Sequence, residues 1–200
     1  MTSPFVLPRT RVVAIAVAAA LLALVAWQLG AARPANNAGA AVGGVHISLT
    51  VNGAKTGLFK GDDNSTSRTP GVITVLAYQY ELQVPTSSTG GGGGGAVGKA
   101  IHKPVTITHL LGGSSPEFLF AAATGENLTK VQIDFFRTDK SGKDFNYYRV
   151  ILTNALITDV KQYSAGDNVR EDVSFEFRKI EQRSFAQNTD FIADLSNAGA

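Results

Sequence analysis

The segment Val45-His46-Ile47-Ser48-Leu49-Thr50-Val51 alternates apolar and polar residues without a miss. Only an extended strand, whose successive side chains point to opposite faces, converts that pattern into one buried and one wet surface. The same period recurs along the chain. From Val72 to Val84 the even positions carry Val72, Leu76, Tyr78, Tyr80, Leu82 and Val84, and Pro85 ends the run. Ile101, Val105 and Ile107 repeat it, as do Val131, Ile133 and Phe135. Between Asn146 and Val160, Tyr148, Val150, Leu152 and Leu156 share one phase. Val173, Phe175 and Phe177 share another, after which Ile180 changes phase and implies a bulge near Arg178-Lys179. Six or more strands rich in β-branched and aromatic residues predict a sandwich or barrel.

One segment breaks the period. Ser114-Ser115-Pro116-Glu117 supplies a cap, a proline for the first helical position and an acid for the first turn. Phe118, Leu119 and Ala122 form the expected apolar stripe, and Gly125 is the expected stop. A fold that is mainly β with one short helix follows. About 145 residues suffice for a single core, and no fixed-period repeat is present.

Charge then separates the chain into two unlike parts. The formal charge is +2, from 18 Lys and Arg against 16 Asp and Glu. Arg9, Arg11 and Arg33 lie within residues 1–40, which hold no acid, so the remainder carries −1. Without a cluster of basic residues, the body lacks the footprint of a nucleic-acid binder. Arg9 and Arg11 precede Val12–Gly30, an uncharged apolar run, and small residues follow at Gly30, Ala31 and Ala32. That order is a secretory signal, and the run's length also suits an N-terminal helical anchor. Residues 1–32 are therefore read as signal peptide or anchor and 33–44 as a linker. The barrel domain is assigned to 45–192, and 193–200 to a flexible tail. Either form of leader exports the body, anchored at the inner membrane with the domain in the periplasm or released. A cytoplasmic location follows only if translation starts downstream of the leader.

A search for chemistry finds no catalytic centre. Cysteine is absent, which removes disulfides, thiol nucleophiles and thiolate metal sites. Gly90–Gly95 lacks the spacing of a phosphate loop, and a strand rather than a helix follows Lys99. His46, His102 and His109 lack metal-ligand spacing. Asp62-Asp63, Asp139 with Asp144, and Glu171-Asp172 read as solvated turns rather than a carboxylate pair. Asn64-Ser65-Thr66 and Asn127-Leu128-Thr129 match the glycosylation sequon. No cofactor and no metal are expected.

The order of elements carries a resemblance. A strand ending Val51-Asn52-Gly53 leads to a polar loop, Ala54–Pro70, then to the strand at Gly71–Val84 and the polyglycine connection. Ile101–His109 follows, then the Ser115–Gly125 helix and the strand Val173-Ser174-Phe175-Glu176-Phe177-Arg178-Lys179-Ile180-Glu181. Over residues 45–190 this resembles the haemolysin-coregulated protein (Hcp) family, the tube subunit of bacterial type VI secretion. The resemblance implies an Hcp-like β-barrel of two sheets with one helix at its side, here preceded by an N-terminal apolar helix. It also implies a hexameric ring with a central channel, rings stacked into a tube, and no catalytic residues. The partners implied are further copies of the chain, secretion effectors, and spike or sheath proteins, with a membrane partner through residues 12–30 if the leader is retained. In that family the loop after the first strand meets neighbouring subunits and rings. Its counterpart here contains Leu58, Phe59 and Lys60, the candidate ring or stacking contacts, and the apolar pair either meets a neighbour or tucks onto its own barrel. Tube subunits of the family are made without a secretory signal, so the leader implies either an envelope-located paralogue that keeps the fold or a start of translation downstream of it. An exported barrel acting as a binding module, without forming a tube, is the alternative. N-terminal sequencing of membrane and soluble fractions separates the two leader readings: a start beyond Ala32 marks cleavage, and an intact Met1 marks an anchor.

Overall fold

The computed structural model describes residues 43–62, 72–87, 95, 96 and 98–196. The apolar run at 12–30, most of the glycine run and Asn64 lie outside these residues. Among the described residues no helix is long and apolar enough to cross a membrane. The strands are β1 (Gly43–Gly53), β2 (Gly57–Leu58), β3 (Ile73–Gln79), β4 (Leu82–Gln83), β5 (Thr86–Ser87) and β6 (Gly95–Ala96). They continue with β7 (Ile101–His102), β8 (Val105–Leu110), β9 (Leu128–Thr138), β10 (Asp144–Ala165), β11 (Asn168–Ser184) and β12 (Thr189–Asp194). Helix α1 (Ser115–Thr124) stands between β8 and β9. β1 thus starts two residues before Val45, and β12 runs into the stretch read from sequence as a tail.

Six strands form a closed antiparallel barrel in the order β10-β9-β1-β3-β8-β11, and β11 pairs back onto β10. One sheet that closes on itself replaces the two sheets expected from the resemblance. Closure is possible because β10 is 22 residues long and pairs with β9 through its first half and with β11 along nearly all of it. β12 extends the sheet beyond β11, and β2 pairs with β1. The β4–β7 and β5–β6 ladders form an arm between the adjacent strands β3 and β8.

Every barrel strand sends one face inward. Leu49 and Val51, Ile73 and Val75, Val105 and Ile107, and Val131 and Ile133 are buried together with Val150, Leu152, Val173 and Phe175. These are the alternating positions of β1, β8, β9 and β11, as the period predicts. Two strands depart from the predicted phase. In β3 the ladder to β8 shifts between Val75 and Ala77, leaving Leu76 as the extra residue, 46% exposed. Ile73 and Val75 face inward beside Val72, and beyond the bulge Tyr78 and Tyr80 pack against the core as the even phase predicts, whereas Leu82 and Val84 lie exposed past the strand's end at Gln79. In β10 the buried positions pass from Val150 and Leu152 to Ala155 and Ile157, so Leu156 is exposed rather than inward. Asn154, between them, has φ 51°, a left-handed conformation uncommon for a residue with a side chain. β11 changes face at the paired place, from Phe177 to Ile180, because Leu152 opposes Ile180 and Ala155 opposes Phe177. The irregularity read near Arg178-Lys179 is thus a joint change of face. The ladder's true register shift lies between Ile157 and Asp159.

Helix α1 closes one flank of the core. Its buried residues are Ser115, Phe118 and Ala121, spaced three apart, whereas Leu119 is 45% exposed and does not join the stripe. Phe118 packs edge-on to Phe59 at 5.3 Å and onto Phe175 at 6.3 Å. Ser114 makes no side-chain cap, and its backbone is already helical. At the other end Gly125 has φ 58°, and its N–H reaches Ala122 O while Glu126 N–H reaches Ala121 O. That paired closure is the Schellman arrangement, for which a left-handed glycine is best suited. Leu152→Ala is expected to cost about 2–5 kcal/mol and Leu156→Ala no more than about 0.5 kcal/mol, by urea denaturation. Equal losses would contradict the change of face at Asn154.

Candidate functional site

The polar loop expected after the first strand begins as a tight hairpin. Asn52 pairs with Leu58 and Gly53 with Gly57 around the turn Ala54-Lys55-Thr56. Gly57, at φ 75°, supplies the left-handed residue that the turn requires. Gly53 is needed for a different reason. A Cβ there would run into Glu126 Oε1 and stand 3.2 Å from the Phe59 ring.

The hairpin separates the three residues singled out in the sequence. Phe59 turns inward, 3% exposed, against Phe118, and its N–H bonds Val51 O at 3.0 Å. Its side chain is therefore committed to the protein's own core. Leu58 points the other way and is 65% exposed, more than any other large apolar residue described. Lys60 exposes its side chain while its backbone N–H donates to Glu117 Oε2 at 2.7 Å.

The ground beneath the hairpin is built by α1 and its flanks. Glu126, just past the helix, is 2% exposed. Its Oε1 accepts the N–H groups of Lys55 at 2.6 Å and Thr56 at 2.7 Å, and its Oε2 accepts the Thr56 hydroxyl at 2.7 Å. Burial alone would raise the pKa of this carboxyl. The hydrogen bonds from Thr56 and Lys55, with the Lys55 charge, outweigh burial and hold it below the ordinary glutamate value. On the far side Asp62 accepts Gly113 N–H at 3.2 Å, in the turn that leads into α1.

The remaining sequence candidates do not converge. His46 stacks on Phe136 at 5.0 Å, and His102 Nδ1 lies 2.6 Å from the Tyr80 hydroxyl. Asp139 closes its own turn by accepting from Ser141 N–H and Lys143 N–H. Asn127 Nδ2 donates to Asn154 Oδ1 at 3.4 Å, and the middle residue of its sequon, Leu128, is buried. An open groove of about 520 Å³ is lined by residues including Lys103, Asn154, Glu176 and Arg178, and no hairpin residue borders it.

One acidic pair departs from the solvated turn that its sequence predicts. Glu171 is fully buried, and its Oε1 lies 2.9 Å from His109 Nε2. Gln162 Nε2 donates to its other oxygen at 2.6 Å, and the Phe118 ring covers His109 at 5.2 Å. The signal was available in the alternation: Glu171 shares the phase of Val173 and Phe175, and His109 that of Val105 and Ile107.

Known proteins were compared with this architecture. A family model described as "Type VI secretion system effector, Hcp" matches residues 48–183. A protein of Pseudomonas aeruginosa strain PAO1 named "Major exported protein" is 41% identical over 91 residues, 42% of this chain and 53% of that protein. The chain thus spans about half the length of the curated relative it matches. The solved structure of the Hcp1 protein from E. coli EAEC 042, in a mutant form, aligns with a TM-score of 0.69 at 23% identity. That alignment covers 76% of this chain and 99% of the other, and at such identity it shows the fold. "Secreted protein Hcp3 from Pseudomonas aeruginosa" aligns with a TM-score of 0.61 at 29% identity, over 76% of this chain and 98% of its own.

The Glu126 clasp generates a pH dependence. Because the folded carboxyl titrates below its unfolded value, the stability it adds is complete above the ordinary glutamate range, about 4.3. It is lost as pH falls through the folded value. Melting temperature is therefore expected to fall more steeply for the wild type than for Glu126→Gln between about pH 5 and pH 3. Parallel profiles would show that protonation of Glu126 is not coupled to the fold.

Proposed function

We propose a tube-subunit role for this chain, which belongs to the Hcp family of type VI secretion proteins. In this reading six copies close into a ring, rings stack through the β1–β2 hairpin, and the channel carries effector proteins. Spike and sheath proteins are the further partners, and the role calls on no catalytic group. The observation that carries the proposal is the extent of the family match. Residues 48–183 include the hairpin, α1 and nearly all of the β10–β11 ladder, and only β12 among the barrel's flanking strands lies beyond the match.

Three features of the surface support self-association. Leu58 stands exposed on a hairpin, where burial against a neighbour removes apolar surface from water. β12 pairs with β11 along one edge only among the described residues, and it exposes Phe191 at 42% and Ile192 at 59%. An open edge with apolar side chains is a template for another chain unless it is covered. The near-neutral body opposes assembly with little charge repulsion. Ring closure joins one patch to a different patch on the next copy, so the hairpin and the β12 edge need not meet their own counterparts. Export is supported by the name of the Pseudomonas relative.

Light scattering on the purified chain is expected to give a mass near six subunits of 21.0 kDa that persists on dilution. A monomer at high concentration would overturn the ring and favour the exported binding module. Leu58→Asp is expected to leave the ring mass unchanged and to abolish its concentration-dependent growth into longer stacks. Unchanged growth would remove Leu58 from the contact.

A further inference from the structure

We propose that Glu117, on the first turn of α1, is a positioning residue that aims the β1–β2 hairpin at the neighbouring ring. The inference rests on the tube reading and adds a part to it. The hairpin is too small to set its own direction. Only the pairs Asn52–Leu58 and Gly53–Gly57 join β2 to β1, and isolated two-stranded hairpins are marginal in water. Its direction must come from what holds its two ends.

The incoming end is held by β1 and by the Glu126 clasp on Lys55 and Thr56. The outgoing end leaves Leu58 through Phe59, which is anchored in the core, to Lys60. Beyond Phe59 two polar contacts tie the chain to the start of α1, and they are reciprocal. Glu117 of the helix accepts Lys60 N–H at 2.7 Å, and Asp62 of the loop accepts Gly113 N–H at 3.2 Å. The Asp62 carboxylate fills the space where a side chain at Gly112 would stand, so the approach of loop to turn is close. Leu58 is thus flanked by the Glu126 clasp before it and by the Phe59 anchor and the Glu117 bond after it, with Glu117 on the first turn of α1 and Glu126 just past its end.

A carboxylate suits this post because it only accepts, offers two oxygens and makes short charge-assisted bonds to backbone N–H groups. Glu117 is partly exposed and outside the apolar core, so its bond contributes little to barrel stability. Its value lies in ordering: a hairpin held before contact loses less conformational freedom on docking, which strengthens association.

The test compares Glu117→Ala, Glu117→Gln and Leu58→Asp in the full chain. In Glu117→Ala the Lys60 amide is expected to exchange about tenfold faster, the size of one charge-assisted hydrogen bond. Ring mass and melting temperature stay unchanged, while stack growth weakens by about tenfold. Glu117→Gln keeps an acceptor oxygen and is expected to restore slow exchange and stacking. If Leu58→Asp abolishes stacking and Glu117→Ala does not weaken it, the positioning role is overturned and the hairpin contact stands. If the wild type forms no stacks, or Leu58→Asp leaves them intact, the hairpin reading itself fails and the positioning role falls with it. A loss of ring mass in Glu117→Ala would also overturn the proposal, by making Glu117 a structural support.

Discussion

The return of β11 onto β10 is the constraint on which the rest of the molecule depends. Their ladder runs from Tyr148–Ser184 to Ala165–Asn168 and converts an open antiparallel sheet into a closed barrel. Closure satisfies the backbone groups of six strands and confines the apolar faces to one interior. It also leaves a flank beyond the start of β9, where β10 has no second strand beside it and α1 packs. Phe118 reaches from that helix into the interior, where it meets Phe175 of the closing ladder and Phe59 of the hairpin. The helix is therefore seated by the barrel, and the hairpin by the helix.

This hierarchy explains why polar groups are built so deeply into the structure. His109 and Glu171 oppose each other across β8 and β11 beneath Phe118, and Gln162 satisfies the second carboxylate oxygen. A buried carboxylate with both oxygens bonded is tolerable, whereas the same group without either donor costs heavily. Glu126 follows the same rule at the rim, with two amides and a hydroxyl as donors. Glu171 thus fixes β11 against β8, and Glu126 fixes the hairpin against the end of α1.

Much of this was legible in the sequence because the barrel interior reads directly as alternation. Leu49 with Val51, Val105 with Ile107, and Val173 with Phe175 face inward as their period requires. The helix was legible from Pro116 and Gly125, and its buried stripe was legible in part, through Phe118 and Ala122. Phe118 and Ala121 share it while Leu119 and Phe120 remain exposed, because only one narrow side of α1 meets the barrel. Leu76 and Leu156 were misassigned for a common reason. A bulge after Val75 and the left-handed Asn154 each change the phase inside a strand, and apolar residues on both sides conceal the change. Phe59 and Leu58 form an apolar pair that the residues alone could not divide. The division needs the hairpin register, which places Leu58 opposite Asn52 and sends Phe59 to Phe118.

The central claim is that the barrel and α1 hold Leu58 outward for contact with another copy. Since the chain has no cysteine, a single Leu58→Cys carries a thiol-reactive photo-crosslinker at that position alone. Illumination of the assembled protein, followed by mass spectrometry of the joined peptides, tests the claim directly. The account predicts subunit-to-subunit crosslinks from position 58 to one defined patch of a neighbouring barrel. Crosslinks confined to the same chain, at a concentration where assemblies are present, would contradict it.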